Sequence, residues 1–215
     1  MLRFLYILTF LSYSFIGFTQ SELREDFQVW LAADVEYGIM KKIDASLAIA
    51  SRYENNARFN KNNFTELGLQ FKQIENISIT TSYRYSVKGS NNEVTQRFIA
   101  TASYKYRIKP FDLSYRLRGD NFFGDDNLLD RVRNKFQIRY SKKKKRYRPY
   151  VSYEIFVTNE KSGWISDQYR AKAGVKYKLN KTQNIGIYYG IQSEFNTTRP
   201  QRDFILGSSY SYSFD

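Results

Sequence analysis

Tyr169-Arg170-Ala171-Lys172-Ala173-Gly174-Val175-Lys176-Tyr177-Lys178-Leu179 alternates with a period of two: apolar and aromatic residues hold the odd positions, and Arg170, Lys172, Lys176 and Lys178 fall on the even ones. A strand sends successive side chains to opposite faces, so this stretch makes one apolar face and one cationic face. The same alternation recurs near 27–37, 43–53, 67–71, 77–87, 94–106, 111–117, 132–140, 151–157, 185–195 and 204–214. In the first of these Phe27, Val29, Leu31, Ala33, Val35 and Tyr37 oppose Gln28, Asp34 and Glu36; in the last, Phe204, Leu206, Tyr210, Tyr212 and Phe214 oppose Asp203, Ser209, Ser211 and Ser213. Segments of about ten residues with one apolar face are what a tilted strand needs to cross a bilayer. Alternation alone also fits a soluble barrel or sandwich. Turning the apolar face inward, however, would leave rows of Tyr, Arg and Lys outside. The expected fold is all-β, a transmembrane antiparallel up-and-down β-barrel with the apolar face on lipid and the polar face on the lumen.

The connections follow the same plan. Short turns are expected near Met40–Lys42, Gln73–Asn76, Ile108–Pro110, Ser141–Tyr147 and Asn180–Gln183, with longer loops near Asn55–Asn62, Lys88–Glu93, Asn121–Asp130, Thr158–Asp167 and Asn196–Arg202. This is the asymmetry between periplasmic turns and extracellular loops of outer-membrane barrels. Eleven segments sit awkwardly with the even strand counts of bacterial barrels. The expectation is therefore ten to twelve strands, with Ser21–Asp26 a candidate for an extra one. The final strand ends in Phe214, one residue before Asp215, and resembles the C-terminal signal recognised by outer-membrane barrel-assembly machinery.

At the start, Met1-Leu2-Arg3 precedes an apolar stretch from Phe4 to Phe18 with small residues around Thr19. It reads as a secretory signal peptide, residues 1–19, ahead of a barrel domain, residues 20–215. A spanning helix would need about twenty apolar residues, and this stretch is shorter and interrupted by Thr9, Ser12, Ser14 and Gly17. The expected location is the bacterial outer membrane of a Gram-negative cell. With 0 Cys, disulfides, thiolate metal sites and a lipidated cysteine are excluded; with 0 His, the usual general base and the commonest metal ligand are missing. No enzymatic activity, cofactor or metal is expected. The 19 Tyr and 17 Phe against 3 Pro suit strands and interfacial girdles.

The formal net charge of +13 raises nucleic-acid binding. Export argues against it, and so does charge placement, because Arg52, Arg84, Arg97, Arg116, Arg118, Arg131, Arg133, Arg139, Arg170 and Lys176 all fall on the polar strand face. The candidate lumenal anion-binding residues are Arg84, Arg97, Arg116, Arg118, Arg131, Arg133, Arg139 and Arg170. Of these, Arg116, Arg118, Arg131 and Arg133 flank one long loop on adjacent strands. Two readings stay open: a ladder of salt bridges and Tyr hydroxyls that fills a small barrel, or unpaired arginines whose field attracts anions. The run Lys142-Lys143-Lys144-Lys145-Arg146 reads as a solvated turn near lipid phosphates.

With the strands laid out, several short motifs stand together: Trp30, Arg52, Tyr83-Arg84-Tyr85, Leu113-Ser114-Tyr115-Arg116-Leu117-Arg118, Arg131-Val132-Arg133, Pro149-Tyr150-Val151 with Glu154 and Phe156, and Arg170 with Gly174, Tyr177 and Leu179. On these the chain resembles the DUF2490 family of uncharacterised outer-membrane β-barrels, over nearly all of the mature length. The resemblance implies a fold and no activity.

The basic lumen makes a passive, porin-like anion-selective pore or binding barrel the expected role. The alternative is a plugged structural or surface-interaction barrel without transport, and an outer-membrane enzyme ranks last. Expected partners are outer-membrane lipid, the barrel-assembly machinery during biogenesis, and small anions or acidic oligosaccharides, with no nucleic acid.

Overall fold

The computed structural model describes residues 23–89, 92–123, 130–142, 145–160 and 163–214. The expected signal peptide, 1–19, lies outside them. Eleven strands follow one another in a meander: β1 (Arg24–Met40), β2 (Ile43–Glu54), β3 (Phe59–Ile74), β4 (Ile77–Lys88), β5 (Val94–Ile108), β6 (Phe111–Phe122), β7 (Arg131–Tyr140), β8 (Tyr147–Glu160), β9 (Gly163–Lys178), β10 (Gln183–Glu194) and β11 (Gln201–Phe214). Each strand pairs with its sequence neighbour in antiparallel register, and β1 meets β11 to close a barrel. Among the described residues there is no helix.

Odd closure has a geometric consequence. After eleven alternating passes the first and last strands run the same way, so β1 and β11 pair in parallel from Arg24↔Gln201 to Tyr37↔Phe214. The even-count expectation does not hold here. Residues 24–26 are the start of β1 and not a separate strand, and every alternating segment is a strand. Slanted parallel hydrogen bonds still satisfy the backbone, which a lipid-exposed seam requires. The pairing is directly checkable: Val29→Cys with Leu206→Cys, Cα partners in a chain with 0 other Cys, should cross-link on oxidation. Thiols that both stay free would refute the closure.

The exterior settles the solvent. Leu67, Phe136, Val151, Ile187 and Ile49 are each more than half exposed, whereas Arg84, Asp120, Glu154 and Arg170 are buried. A water-soluble domain does the opposite. The apolar strand faces form the outer wall, banded by aromatic pairs at both ends, Tyr37–Phe214 and Phe111–Tyr140 at one and Tyr83–Phe123 at the other. Such a closed barrel with an apolar belt is an outer-membrane architecture.

One end carries the connections 41–42, 75–76, 109–110, 141–146 and 179–182, the turn end; the other carries 55–58, 89–93, 123–130, 161–162 and 195–200, the loop end. Two expected loops are shorter than the sequence suggests. In place of a loop over 158–167, β8 and β9 stay paired through Thr158↔Ile165, Asn159↔Trp164 and Glu160↔Gly163, with a register shift after Phe156. Gly163 has φ of 116°, a backbone conformation that favours glycine and suits a tight reversal. The loop expected over 55–62 shrinks to 55–58 because the Asp26 carboxylate accepts the backbone N–H groups of Asn55 (3.0 Å) and Asn56 (2.9 Å), both in left-handed conformation. Conversely the 141–146 connection is longer than a tight turn. Of its basic run, residues 143–144 lie outside the described residues, and Lys145 Nζ sits 5.5 Å over the Tyr147 ring.

Candidate functional site

The polar strand faces meet in the lumen, even-numbered in most strands and odd-numbered in β5, β7 and β11; the lumen is filled in its loop-end half and open in its turn-end half. Gln28, Ile99, Asp120 and Ile205 are 0% exposed, and Trp30 is buried. Ala32, the next inward residue of β1, is exposed, as are Glu36, Lys105, Arg107 and Lys176 further along. Trp30 is thus the floor of the packed section. Its layer alternates large and small residues across five strands by the register Trp30↔Gly207, Gly207↔Tyr188, Tyr188↔Gly174 and Gly174↔Tyr150. Large rings need that alternation to interleave inside a narrow barrel.

Three carboxylates organise the packed section. Glu154 accepts from Arg133 (2.9 and 3.1 Å), Arg170 (3.2 Å) and Arg116 (3.4 Å). Asp120 accepts from Arg118 Nε at 2.7 Å and lies 3.7 Å from Arg133. Glu66 pairs with Arg84 and accepts from Ser82 Oγ at 2.9 Å. Inward aromatics fill the gaps between guanidinium groups: Arg84 lies 3.9 Å from the Phe64 ring centre, Arg97 4.1 Å from that of Phe122, and Arg170 and Arg133 at 4.8 and 5.0 Å from that of Phe156. Ring faces attract cations but carry no net charge to neutralise them.

The eight arginines singled out from sequence all face the lumen, yet most are engaged. Arg84, Arg116, Arg118, Arg133 and Arg170 share Glu66, Asp120 and Glu154. Arg139 pairs with Asp112 at 3.0 Å near the turn end. Only Arg97 and Arg131 of the eight make no ion pair among the described residues; Arg131 Nε donates to Thr158 Oγ1 at 3.3 Å, and Arg97 Nε is buried with no acceptor. In the packed section three cations outside that set, Arg52, Lys135 and Lys172, also make no ion pair among the described residues. Strand parity places all three in the lumen, and matching each inward cation to the inward carboxylates within reach is the signal that would have marked them.

The clearest gathering is around Trp30. Arg52 lies 4.0 Å from its ring centre, Arg170 4.8 Å and Lys172 4.9 Å, and Lys172 is also 4.1 Å from the ring centre of Tyr188. Trp30 Nε1–H donates to Gln28 Oε1 at 2.9 Å, so the indole has no donor left. Trp30, Arg52, Arg84, Arg116, Arg118, Arg133, Glu154, Phe156 and Arg170, residues on which the family resemblance rests, converge in this one packed section. Towards the turn end a cavity of about 570 Å³ opens along β3 to β7, lined by Lys72, Lys105, Arg107, Asp112 and Arg139 among others. Arg107 bonds Asp112 at 2.7 Å and Lys72 pairs with Asp44, so this mouth is basic but partly compensated. No group of His, Cys, Asp and Glu suited to a metal occurs among the described residues.

Comparison with known proteins agrees with this architecture. The model of the family described as "Protein of unknown function (DUF2490)" matches residues 27–203. No curated protein matches the chain. Among solved structures, the KdgM porin in complex with disordered oligogalacturonate is similar at 16% identity and a TM-score of 0.50, over 88% of this chain and 98% of that one. The KdgM porin by itself gives 15% identity and 0.46 over 87% and 99%. OmpT of Vibrio cholerae with loop L8 deleted gives 12% and 0.39 over 74% and 59%. At 16% identity the likeness to the first of these speaks for the fold alone.

Proposed function

The chain belongs to the DUF2490 family, and we propose that its barrel is a passive outer-membrane binding barrel or narrow pore for small anions, recognised by the cationic lumen. The observation that carries this reading is the imbalance in the packed section: Arg52, Arg97, Lys135 and Lys172 lack an ion-pair partner among the described residues, while Glu66, Asp120 and Glu154 are already shared among five arginines. A buried cation without a counter-charge is costly, so the site favours a diffusible anion. Cations at the open mouth, Lys105 and Lys176, add a field that draws anions towards it. Its other partners in this reading are lipid on the outer wall and the barrel-assembly machinery at insertion, for which β11 presents Phe214 on the outer face. Nucleic acid has no place in it, and neither does catalysis, since the central carboxylates are held by arginines.

The test is a planar-bilayer recording of the refolded protein under a salt gradient. An anion-selective reversal potential is expected, and Arg52→Gln, Arg97→Gln, Lys135→Gln and Lys172→Gln together should move it towards zero. These four positions spare the paired arginines that hold the barrel together. Selectivity for cations would overturn the reading.

One observation favours a second reading. The full burial of Gln28, Ile99, Asp120 and Ile205 fits a plugged barrel with a structural or surface-interaction role. Folded, heat-modifiable protein that stays electrically silent and binds no anion would establish that alternative.

A further inference from the structure

Resting on the anion-binding reading, we infer that the floor of the packed section is a specific site for a compact divalent oxyanion, phosphate or sulfate in form, held between Arg52 and Lys172 beside Trp30.

Charge comes first. Three cations lie within 5 Å of the Trp30 ring centre, and they are not equivalent. Arg170 is satisfied by Glu154 Oε2 at 3.2 Å and Gln192 Oε1 at 2.7 Å. Arg52 lies against the rings of Trp30 and Phe64, and Lys172 against those of Trp30 and Tyr188, and neither makes an ion pair among the described residues. Two cations on one indole, neither with an ion-pair partner among the described residues, favour a ligand that brings two negative charges.

Donor geometry selects the form of the anion. A guanidinium offers a planar fork matched to two oxygens, and an ammonium offers three donors. Both are unfilled here, and a tetrahedral oxyanion has enough acceptor oxygens to bridge them. A halide can accept from both but matches neither the fork nor the divalent charge.

Shape excludes a larger acidic ligand at this point. Stacking a sugar needs a free aromatic face, yet the Trp30 ring is covered by three cations and the Tyr188 ring by Lys172. Gly207, Gly174 and Gly190 are filled by their neighbours, with an added Cβ meeting Tyr188 or Lys172 at 2.0 to 3.0 Å. No free ring face is left for stacking at Trp30 or Tyr188, and a small anion needs none.

Access is from one side. Gln28, fully buried, closes the site towards the loop end. Ala32, exposed beneath Trp30, opens it to the turn-end half of the lumen, where exposed Lys176 and Lys105 stand along the approach.

The experiment uses intrinsic fluorescence, because the chain has only 2 Trp and one is at the site. In the refolded full barrel carrying Trp164→Phe, Trp30 is the sole reporter, and displacement of the cations on its face changes its emission. Sodium phosphate at a pH where the dianion dominates, and sodium sulfate, should each give a saturable change that sodium chloride at equal ionic strength does not. Arg52→Gln with Lys172→Gln should weaken phosphate binding about tenfold or more, as expected for loss of charge-assisted hydrogen bonds. Lys172→Arg, which keeps the charge and refills the niche, should retain it and guards against a variant that merely misfolds; the heat-modified gel shift verifies the barrel in each case. Phosphate and chloride acting alike, or phosphate affinity unchanged in the double variant, would overturn the inference. If the bilayer recording is anion-selective in those circumstances, the broader reading stands without this site. A saturable phosphate response from an electrically silent barrel would instead keep the site and remove the pore.

Discussion

Glu154→Gln should destabilise the barrel by about 3–5 kcal/mol, the usual consequence of removing one member of a buried ion-paired cluster. The substitution keeps the size and much of the hydrogen bonding but deletes the one negative charge shared by Arg116, Arg133 and Arg170. Glu154 has 5% of its side chain exposed, and two of its three partners no more than 12%, so solvent screens little of the loss. Denaturant unfolding of the protein refolded in vesicles measures the effect. The rim offers the contrast: Glu54 pairs with Lys61 at 3.1 Å with both side chains about a third exposed, and Glu54→Gln should change stability by about 1 kcal/mol or less. Equal effects at the two sites would mean that water reaches Glu154 freely and that the packed section is not packed.

The second large effect is steric. A Cβ at Gly207 would lie 2.0 Å from Tyr188 Cζ, and one at Gly174 would lie 2.6 Å from Tyr188 Cβ and 2.7 Å from the backbone oxygen of Ile187. Both Gly207→Ala and Gly174→Ala should therefore cost about 1–3 kcal/mol by overpacking. They should differ in rescue. At Gly207 every close contact is the Tyr188 ring, so Tyr188→Ala should largely relieve Gly207→Ala. At Gly174 the carbonyl of the next strand stands in the way, and the same second substitution should leave Gly174→Ala impaired. Identical rescue at both positions would show that the alternation of large and small residues along this layer does not set the packing.

Parity made much of this legible. Each inward arginine, and Trp30, Phe64, Phe122 and Phe156 with it, lies on the polar face of its strand, even-numbered in most strands and odd-numbered in β5, β7 and β11, and alternation is a local property that survives whatever the rest of the chain does. Phe64 and Phe156 nevertheless look out of place on a polar face when read along one strand. They make sense only beside Arg84 and Arg170, which belong to other strands. The connection over 158–167 misled for a related reason: polar residues beyond the bilayer read as loop, while the hairpin stays paired because each strand completes the other's hydrogen bonds. Strand number was ambiguous because whether a meander closes at ten, eleven or twelve depends on the pairing of its two ends, which are 177 residues apart at Arg24 and Gln201.

By itself, then, the order of residues determined that this chain folds as a lipid-facing barrel with a basic interior, since period-two alternation assigns each side chain to a face without reference to any partner. Only the tertiary structure decided which of those inward cations are neutralised. Arg116 meets Glu154 across β7, and Trp30 on β1 meets Lys172 on β9. Contacts of that kind depend on register, closure and the space that Gly207, Gly174 and Gly190 leave to their neighbours, and so three carboxylates went to five arginines while Arg52 and Lys172, without an ion pair among the described residues, lie against ring faces.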